Sequence, residues 1–344
     1  MELNKIYQEP CLETLKKMPN EFLDCVITSP PYWQLRDYGY PEQWGLEPTF
    51  NEYLEHLWEM MDEIYRVLKP TGTVWINLGD TYSIQSGTNL AISKGKNKKQ
   101  ESTYLINRGE SGNLIKDKSL PNKCLLLLPH RFAIGCIERG WIVRNDIIWA
   151  KRNAMPESVI DRFSKKHEYI FLMVKSQKYF FDLDAIRYKH STFSIERYKY
   201  KFSGNPDGLD RAQSGRPQGL KNIKGNMSAN GVSLTTEGLN LKSQEEKQNI
   251  KGKNPGSVSD FWDITTKGSS NEHYAAYNDE LIKKPVLSGC PENGIIYDPF
   301  MGTGSTAEVA LRSNRKYIGS ELSSEYCKIA EQRLKPYLQQ HSLF

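Results

Sequence analysis

Two short apolar stretches flank an amphipathic segment near the N-terminus, and this pattern restricts the fold more than any other part of the sequence. Phe22–Thr28 is an apolar, β-branched run that stops at Ser-Pro-Pro, as a buried strand does when it enters a loop. In Asn51–Leu68, apolar residues recur at steps of three and four, which predicts a helix that ends before Lys69-Pro70. Thr73–Leu78 has the composition of a second buried strand. Strand, helix and strand in this order predict a βαβ unit and a parallel sheet in an α/β protein.

The same alternation resumes in the middle and at the end of the chain, which at 344 residues can hold one large α/β domain with a smaller one inserted. Periodicity predicts a helix over 125–139, strands over 143–150 and 169–175, a helix over 278–287, a strand over 294–298, a helix over 305–313, a strand over 317–321 and a last helix through 338.

Positive charge is concentrated in two polar segments. The net charge is +5, but 83–120 has seven Lys/Arg against three acids and 187–260 has thirteen against seven, which leaves the rest of the chain at −5. We expect a mobile basic loop over 83–120. The predicted domains are therefore a first half over 1–186, an inserted region over 187–260 and a second half over 261–344. Two basic segments around one domain favour contact with phosphates.

Cysteine spacing and hydropathy argue against a metal site and a membrane anchor. The six cysteines form no C-x-x-C pair and have no nearby His at ligand spacing, so we expect reduced thiols and no metal: Cys11, Cys25, Cys124, Cys136, Cys290 and Cys327. No stretch approaches the roughly 20 apolar residues that a spanning helix needs. The N-terminus lacks the apolar centre of a secretory signal, so we expect a cytoplasmic protein.

A glycine-containing turn follows the strand predicted at 294–298. Asp298 ends this strand, Gly302 and Gly304 follow, and small residues then begin a helix, so that the backbone can approach a bound cofactor closely. No Lys follows Gly304, which disfavours a triphosphate-binding loop. Glu321 ends the next strand, seventeen residues after Gly304, where a carboxylate can accept hydrogen bonds from both ribose hydroxyls. This pair of features predicts an adenosine-containing cofactor.

Three motifs resemble those of the β group of S-adenosylmethionine-dependent DNA amino-methyltransferases. DPFMGTGST resembles the family's cofactor motif, YIGSELSSEY resembles its acidic ribose-binding motif, and TSPPYW resembles its catalytic motif. The catalytic motif precedes the cofactor motif in this chain, which is the permuted order found in that group. The segments RDYGYPEQWGLE, KPTGTVWINLGDTY and RNDIIWAKRNAMPESVIDRFSKKHEYIFLMVKS extend the resemblance to about 220 residues. It implies a Rossmann-like, seven-stranded, mainly parallel methyltransferase sheet, with a target-recognition insertion at 187–260.

The resemblance implies S-adenosyl-L-methionine as cofactor, bound by Asp298, Pro299, Phe300, Gly302, Gly304, Ser305 and Glu321. The segment HYAAYNDEL resembles the motif that closes over the methionine end and contributes Tyr277, although Asn278 stands where many relatives have Pro. Pro10 occupies the place of an Asp that binds the cofactor adenine in relatives. Either Glu9 takes over this contact or the contact is lost.

The resemblance also assigns the catalytic loop to Ser29, Pro30, Pro31 and Tyr32. An exocyclic amine is a poor nucleophile until its lone pair is localised, and the Ser29 hydroxyl and Pro30 carbonyl can each accept one of its hydrogen bonds. Tyr32 offers a stacking face for a base that has been flipped out of the duplex. No Cys lies in this loop to serve as the nucleophile of a C5-cytosine enzyme.

Ser-Pro-Pro is typical of the family's N4-cytosine enzymes and Asp/Asn-Pro-Pro-Tyr of its N6-adenine enzymes, which makes cytosine the first expectation and adenine the alternative. An RNA or protein methyltransferase and a non-catalytic DNA-binding module are the remaining alternatives. The implied partners are double-stranded DNA and a cognate restriction endonuclease, in a bacterial or phage system, with a monomer or a homodimer both open. The expected DNA contacts are Trp33, Lys94, Lys96, Lys98, Lys99, Arg211 and Arg216.

Overall fold

The computed structural model describes residues 1–83, 120–154, 157–187, 259–265 and 278–341. By backbone contacts the chain divides into one unit made of Met1–Ala185 with Asp260–Phe344, and a second unit, Ile186–Ser259. Nearly all described residues belong to the first unit. The domain boundaries expected from the sequence, and the recognition role of 187–260, stay predictions.

An eight-stranded sheet forms the centre of the first unit, in the order β1-β8-β7-β2-β3-β5-β4-β6. All neighbouring strands pair in parallel except where β5 lies antiparallel between β3 and β4. The strands are β1 (Lys5–Tyr7), β2 (Leu23–Thr28), β3 (Leu68–Leu78), β4 (Ile142–Ala150), β5 (His167–Val174), β6 (Phe261–Asp263), β7 (Ile295–Asp298) and β8 (Lys316–Ser320). This Rossmann-like α/β fold confirms the expected class, with one strand more than the seven expected.

Within the described residues, six α-helices cover the two faces of the sheet: α1 (Cys11–Lys16), α2 (Phe50–Val67), α3 (Leu128–Glu138), α4 (Asp279–Gly289), α5 (Ser305–Arg312) and α6 (Ser324–His341). The first three pack on one face and the last three on the other. Alternate side chains of each central strand supply the two cores. In β2, Val26 belongs to the first core, whereas Cys25 and Ile27 belong to the second.

Helix α2 illustrates how local sequence positions an element that supports the site. The Thr49 hydroxyl caps its start by accepting a hydrogen bond from the Glu52 N–H, 3.2 Å away. Its apolar residues at steps of three and four, such as Leu54, Leu57 and Met61, are buried against the sheet. The helix ends at Val67, one residue before the predicted end, because the chain enters β3 at Leu68.

Helix α3 begins three residues later than the predicted start at position 125. Leu125 forms an antiparallel bridge with Tyr82, and the Leu126 N–H donates to the Thr81 carbonyl, so this stretch pairs with the chain that follows β3. Leu127 adopts a left-handed conformation (φ 56°), and Pro129 then occupies the first turn of the helix, where its missing N–H does no harm. The prediction was wrong here because an apolar run before a helix can equally extend a strand.

Candidate active site

A cavity of about 880 Å³ opens at the ends of β2, β3, β7 and β8. Ligands of open parallel sheets bind at the carboxyl ends of the strands, and this volume suits a cofactor together with part of a substrate. The cavity brings together most of the residues expected from the sequence: Glu9, Ser29, Pro30, Pro31, Tyr32, Asp298, Pro299, Phe300, Gly302, Ser305 and Glu321 all line it.

Asp298 links the end of β2 to the glycine-containing turn that follows β7. Its side chain is buried, and one oxygen accepts hydrogen bonds from the Thr28 hydroxyl (2.6 Å) and the Phe300 N–H (3.0 Å), while the other accepts from the Thr306 hydroxyl (2.6 Å). Burial raises the pKa of this carboxyl, although the three hydrogen bonds oppose the shift. Asp298 therefore orders the ends of β2 and β7 and the start of α5.

Gly302 and Gly304, the two glycines of this turn, have different surroundings. Both lie in the left-handed region, with φ 54° at Gly302 and 84° at Gly304. A Cβ on Gly302 would meet no atom within 4 Å, whereas a Cβ on Gly304 would lie 2.9 Å from the Ala330 Cβ. Gly302 lines the cavity and leaves it open, but Gly304 does not line it. Gly304 instead allows α5 and α6 to pack closely at Ala330.

Glu321 follows β8 and joins the turn from the other side. Its two oxygens accept hydrogen bonds from the Gly302 N–H and the Ser323 N–H, each at 2.8 Å. Burial raises the pKa of this carboxyl. Each carboxylate oxygen has a further lone pair, so Glu321 can still accept hydrogen bonds from two ribose hydroxyls.

Glu9 lies on the cavity wall beside Pro10. Its carboxylate accepts a hydrogen bond from the Thr14 hydroxyl at 2.9 Å and pairs with Lys17. These contacts hold its side chain at the start of α1, and its contact with the cofactor adenine stays a prediction. Tyr277 lies outside the described residues.

The loop that leaves β2 at Ser29, where the sequence predicts the catalytic residues, meets a cluster of polar side chains. The Tyr32 hydroxyl lies 3.5 Å from the Ser29 hydroxyl and donates to the Glu168 carboxylate at 2.8 Å. The Asn77 amide donates to Tyr32 (2.8 Å), Glu168 (3.1 Å) and Ser29 (3.3 Å), and Lys151 pairs with the other oxygen of Glu168. This network fixes the Tyr32 ring at the cavity wall.

Sequence reasoning missed Asn77, Lys151 and Glu168, all of which line the cavity. Asn77 is 2% exposed, and its amide oxygen has no hydrogen-bond partner within the described parts of the chain. The available signals were a polar residue inside the apolar run TVWINL and an acid at the start of the apolar run EYIFLMV. Gly79 was also missed: a Cβ there would lie 2.6 Å from the Tyr32 Cε2, so only glycine lets the ring take this place.

Trp33, which we expected to contact DNA, lies in the core. Its side chain is 5% exposed, its ring packs against Phe50, and its indole N–H donates to the Glu47 carbonyl at 3.0 Å. The chain turns inward directly after Tyr32, so Trp33 belongs to the core and is absent from the cavity lining. The other expected DNA contacts lie outside the described residues: Lys94, Lys96, Lys98, Lys99, Arg211 and Arg216.

All six cysteines are unpaired thiols. Among the residues that the structure describes, no three His, Cys, Asp or Glu side chains are grouped so that they could hold a metal ion. Within the same residues, no helix is both long and apolar enough to cross a membrane.

Comparison with known proteins adds an independent line of evidence. The family model N6_N4_Mtase, a DNA methylase, matches residues 23–332. The Type II methyltransferase M.Cfr9I of Citrobacter freundii is 31% identical over 337 residues, which cover 97% of this chain and 89% of that protein.

Two solved structures share the fold. The PvuII DNA methyltransferase (cytosine-N4-specific) aligns with a TM-score of 0.57 and 15% identity, over 99% of this chain and 93% of that one. The TTHA0409 protein of Thermus thermophilus, in its complex with S-adenosyl-L-methionine, aligns with a TM-score of 0.51 and 19% identity, over 97% and 94%.

Proposed function

Because this chain belongs to the DNA methylase family N6_N4_Mtase, and is a DNA methyltransferase that uses S-adenosyl-L-methionine, we propose that its target is the N4 amino group of cytosine in duplex DNA. The observation that carries the choice of cytosine is the neutral character of the groups around Ser29. The nearest described hydrogen-bonding partners of its hydroxyl are the Asn77 amide and the Tyr32 hydroxyl. The one carboxylate of this cluster, on Glu168, is already engaged by Lys151 and Tyr32.

The cavity fits the cofactor on two counts. Gly302 leaves space where any other residue would place a Cβ, and Glu321 keeps acceptor capacity for ribose hydroxyls. When bound, S-adenosyl-L-methionine supplies an electrophilic methyl group on a positively charged sulfur. The shared hydrogen bonds of Asp298 hold the cofactor turn against the end of β2, and would thereby keep a bound cofactor on the side of the cavity where Ser29 lies.

Ser29 and the carbonyl of Pro30 would accept hydrogen bonds from the target amino group and hold its lone pair in line with the methyl group. The Asn77 amide donates to the hydroxyls of Ser29 and Tyr32 and so positions both side chains in the same wall. Tyr32, held by Glu168 and Asn77, would stack on the extruded base. Trp33 is buried in the core, so the choice of cytosine rests on the hydrogen-bond acceptors alone.

The test is the chemical identity of the modified base. DNA from a host that expresses the protein is digested to nucleosides and analysed by mass spectrometry, with a host expressing Ser29→Ala as the matched control. N4-methyldeoxycytidine that depends on Ser29 supports the proposal. N6-methyldeoxyadenosine as the only new nucleoside would refute the choice of cytosine and establish the adenine alternative. Methyl groups found only in RNA or protein would refute action on DNA in this host.

Two wider roles follow from the same proposal. M.Cfr9I is a Type II methyltransferase, which supports a role as the modifying enzyme beside a restriction endonuclease. The region 187–260, with thirteen basic against seven acidic residues, would read the target sequence. Mapping the methylated positions in host DNA gives the recognised sequence directly.

A further inference from the structure

The loop between β4 and β5 lies at the edge of the cavity. Lys151 begins this loop and Glu168 follows it, and both line the cavity. The Lys151 N–H donates to the Lys166 carbonyl at 2.8 Å, which closes the base of the loop. The described part of the loop, 151–154 and 157–166, therefore projects from the side of the cavity where Ser29 and Tyr32 lie.

Two large apolar side chains on this loop are fully exposed. Ile160 is 103% exposed and Phe163 is 97% exposed, whereas the next most exposed large apolar residue among those described, Phe261, is 57% exposed. Isolated apolar residues on a surface are ordinary, but two almost unburied ones three positions apart, on a loop whose ends lie at the cavity, indicate a binding partner.

Contacts on either side hold the loop in place. Arg162 pairs with Glu157 at 2.7 Å and lies over the Tyr82 ring, 4.2 Å from its centre. Asp161 pairs with Lys123 at 2.6 Å. Lys165 donates both from its backbone N–H to Glu157 and from its side chain to the Asp80 carbonyl. Ile160 and Phe163 alternate with these anchored residues, so they are presented to solvent from a braced loop.

The charge of the loop identifies the class of partner. Five basic and two acidic side chains give the segment 151–166 a formal charge of +3: Lys151, Arg152, Arg162, Lys165 and Lys166 against Glu157 and Asp161. A basic loop with an apolar tip is complementary to duplex DNA, which has an anionic backbone and an apolar stack of bases inside it. A second copy of this chain would bring a loop of the same charge to such a contact.

We infer that Phe163 and Ile160 enter the base stack of the duplex and occupy the space that the target base leaves when it is extruded into the cavity. This inference rests on the proposed function. An enzyme that modifies an exocyclic amine must unpair and unstack its target, and apolar side chains placed between base steps offset the lost stacking. Lys151 and Glu168, at the two ends of the loop, line the cavity, and the Lys165 side chain donates to the Asp80 carbonyl just after β3, so the loop lies at the same edge of the sheet as the cavity.

The test compares Phe163→Ala and Ile160→Ala, singly and together, with the wild type in single-turnover methylation of two duplexes. Both duplexes contain the sequence found methylated in host DNA, and one of them carries a mismatch opposite the target base. A mismatched base is already partly unpaired and is cheaper to extrude. We expect the double variant to lose about tenfold in rate on the paired duplex and to return to within about threefold of the wild type on the mismatched one.

Ile134→Ala and Ile137→Ala are the matched controls, because these side chains of α3 are 56% and 54% exposed and do not line the cavity. They should leave both rates unchanged. All variants should keep the wild-type melting temperature and cofactor affinity, since the substituted side chains are exposed.

Three results would overturn the inference. The first is an unchanged rate on paired DNA, and the second is an equal loss on both duplexes, which would indicate a role in binding without extrusion. The third is a change in sedimentation of the double variant, which would mean that the apolar tip joins two copies of the chain. If the wild type transfers no methyl group to either duplex, the proposed function fails and this inference fails with it.

Discussion

Replacement of Glu321 by Ala tests the cofactor half of the site most directly. The substitution removes a carboxylate that lines the cavity and accepts two backbone hydrogen bonds at 2.8 Å. A hydrogen bond to a charged group contributes about 1.5 to 3 kcal/mol, so we expect affinity for S-adenosyl-L-methionine to fall by about this amount. That loss corresponds to roughly 10- to 150-fold in Kd, at 1.4 kcal/mol for each tenfold change.

Isothermal titration calorimetry measures this loss, with circular dichroism to establish that the variant is folded. Glu331→Ala is the matched control, since Glu331 is an exposed acid of α6 that does not line the cavity and should bind the cofactor as the wild type does. A folded Glu321→Ala protein with wild-type affinity would remove this residue from the cofactor site.

The raised pKa of Glu321 adds a dependence on pH with a defined sign. Ionised Glu321 can accept hydrogen bonds from the backbone and the ribose together, whereas the protonated acid loses part of this capacity. Because burial places its pKa above the ordinary value for Glu, cofactor affinity should be constant above that pKa and fall as the pH drops through it. Glu321→Gln cannot titrate, so its weaker affinity should vary less with pH over the same range. Parallel pH curves for both proteins would assign the dependence to another group.

Three further predictions concern catalysis and DNA. Ser29→Ala should lower turnover by about 10²-fold, the usual loss for one positioned hydrogen-bonding group, with little change in DNA affinity by anisotropy. An equal loss in binding and turnover would contradict a role in activating the amine. Gly79→Ala should reduce turnover while preserving cofactor affinity, because its Cβ would lie 2.6 Å from the Tyr32 ring; unchanged turnover would mean that the position of Tyr32 does not matter. DNA affinity should fall with salt at a log–log slope of nearly one for each phosphate contact, and substitution of Lys94, Lys96, Lys98 and Lys99 by Gln should flatten the slope. A slope that is flat in the wild type would exclude phosphate contacts from these segments.

The sequence alone was sufficient for most of the sheet and for the cofactor turn, because both depend on local patterns. Apolar runs predicted β2 and β7 to within one residue, and the order Asp298, Gly302, Gly304 identified the turn between β7 and α5. A tight turn after a strand needs a positive φ, which glycine adopts most easily. Such a turn can therefore be recognised from one short segment of sequence.

The polar cluster around Tyr32 could not be predicted in the same way, because its members meet only through the sheet. Glu168 lies 136 positions from Tyr32 in sequence. It reaches the cavity because β5 runs antiparallel to β3 and therefore begins at the edge of the sheet where β3 ends. Local periodicity does not state the direction of a strand. The burial of Trp33 could not be predicted for a related reason. An aromatic residue after Pro-Pro-Tyr has the same sequence pattern whether it faces solvent or the core, and only the turn after Tyr32 places it in the core.

The hydrogen bond from Thr28 to Asp298 spans 270 positions of the chain, and it closes the site between two segments that no short connection joins. This side-chain contact and the pairing of β2 with β7 hold the two sides of the site together. Neither interaction depends on whether the segment with β2 or the segment with β7 comes first in the chain. β1 pairs with β8, so the beginning of the chain already lies beside its last strand. The same site can therefore survive a change in the order of its halves, and we expect a circularly permuted gene, opened between the halves and closed by a linker long enough to pass α6, to encode an active enzyme.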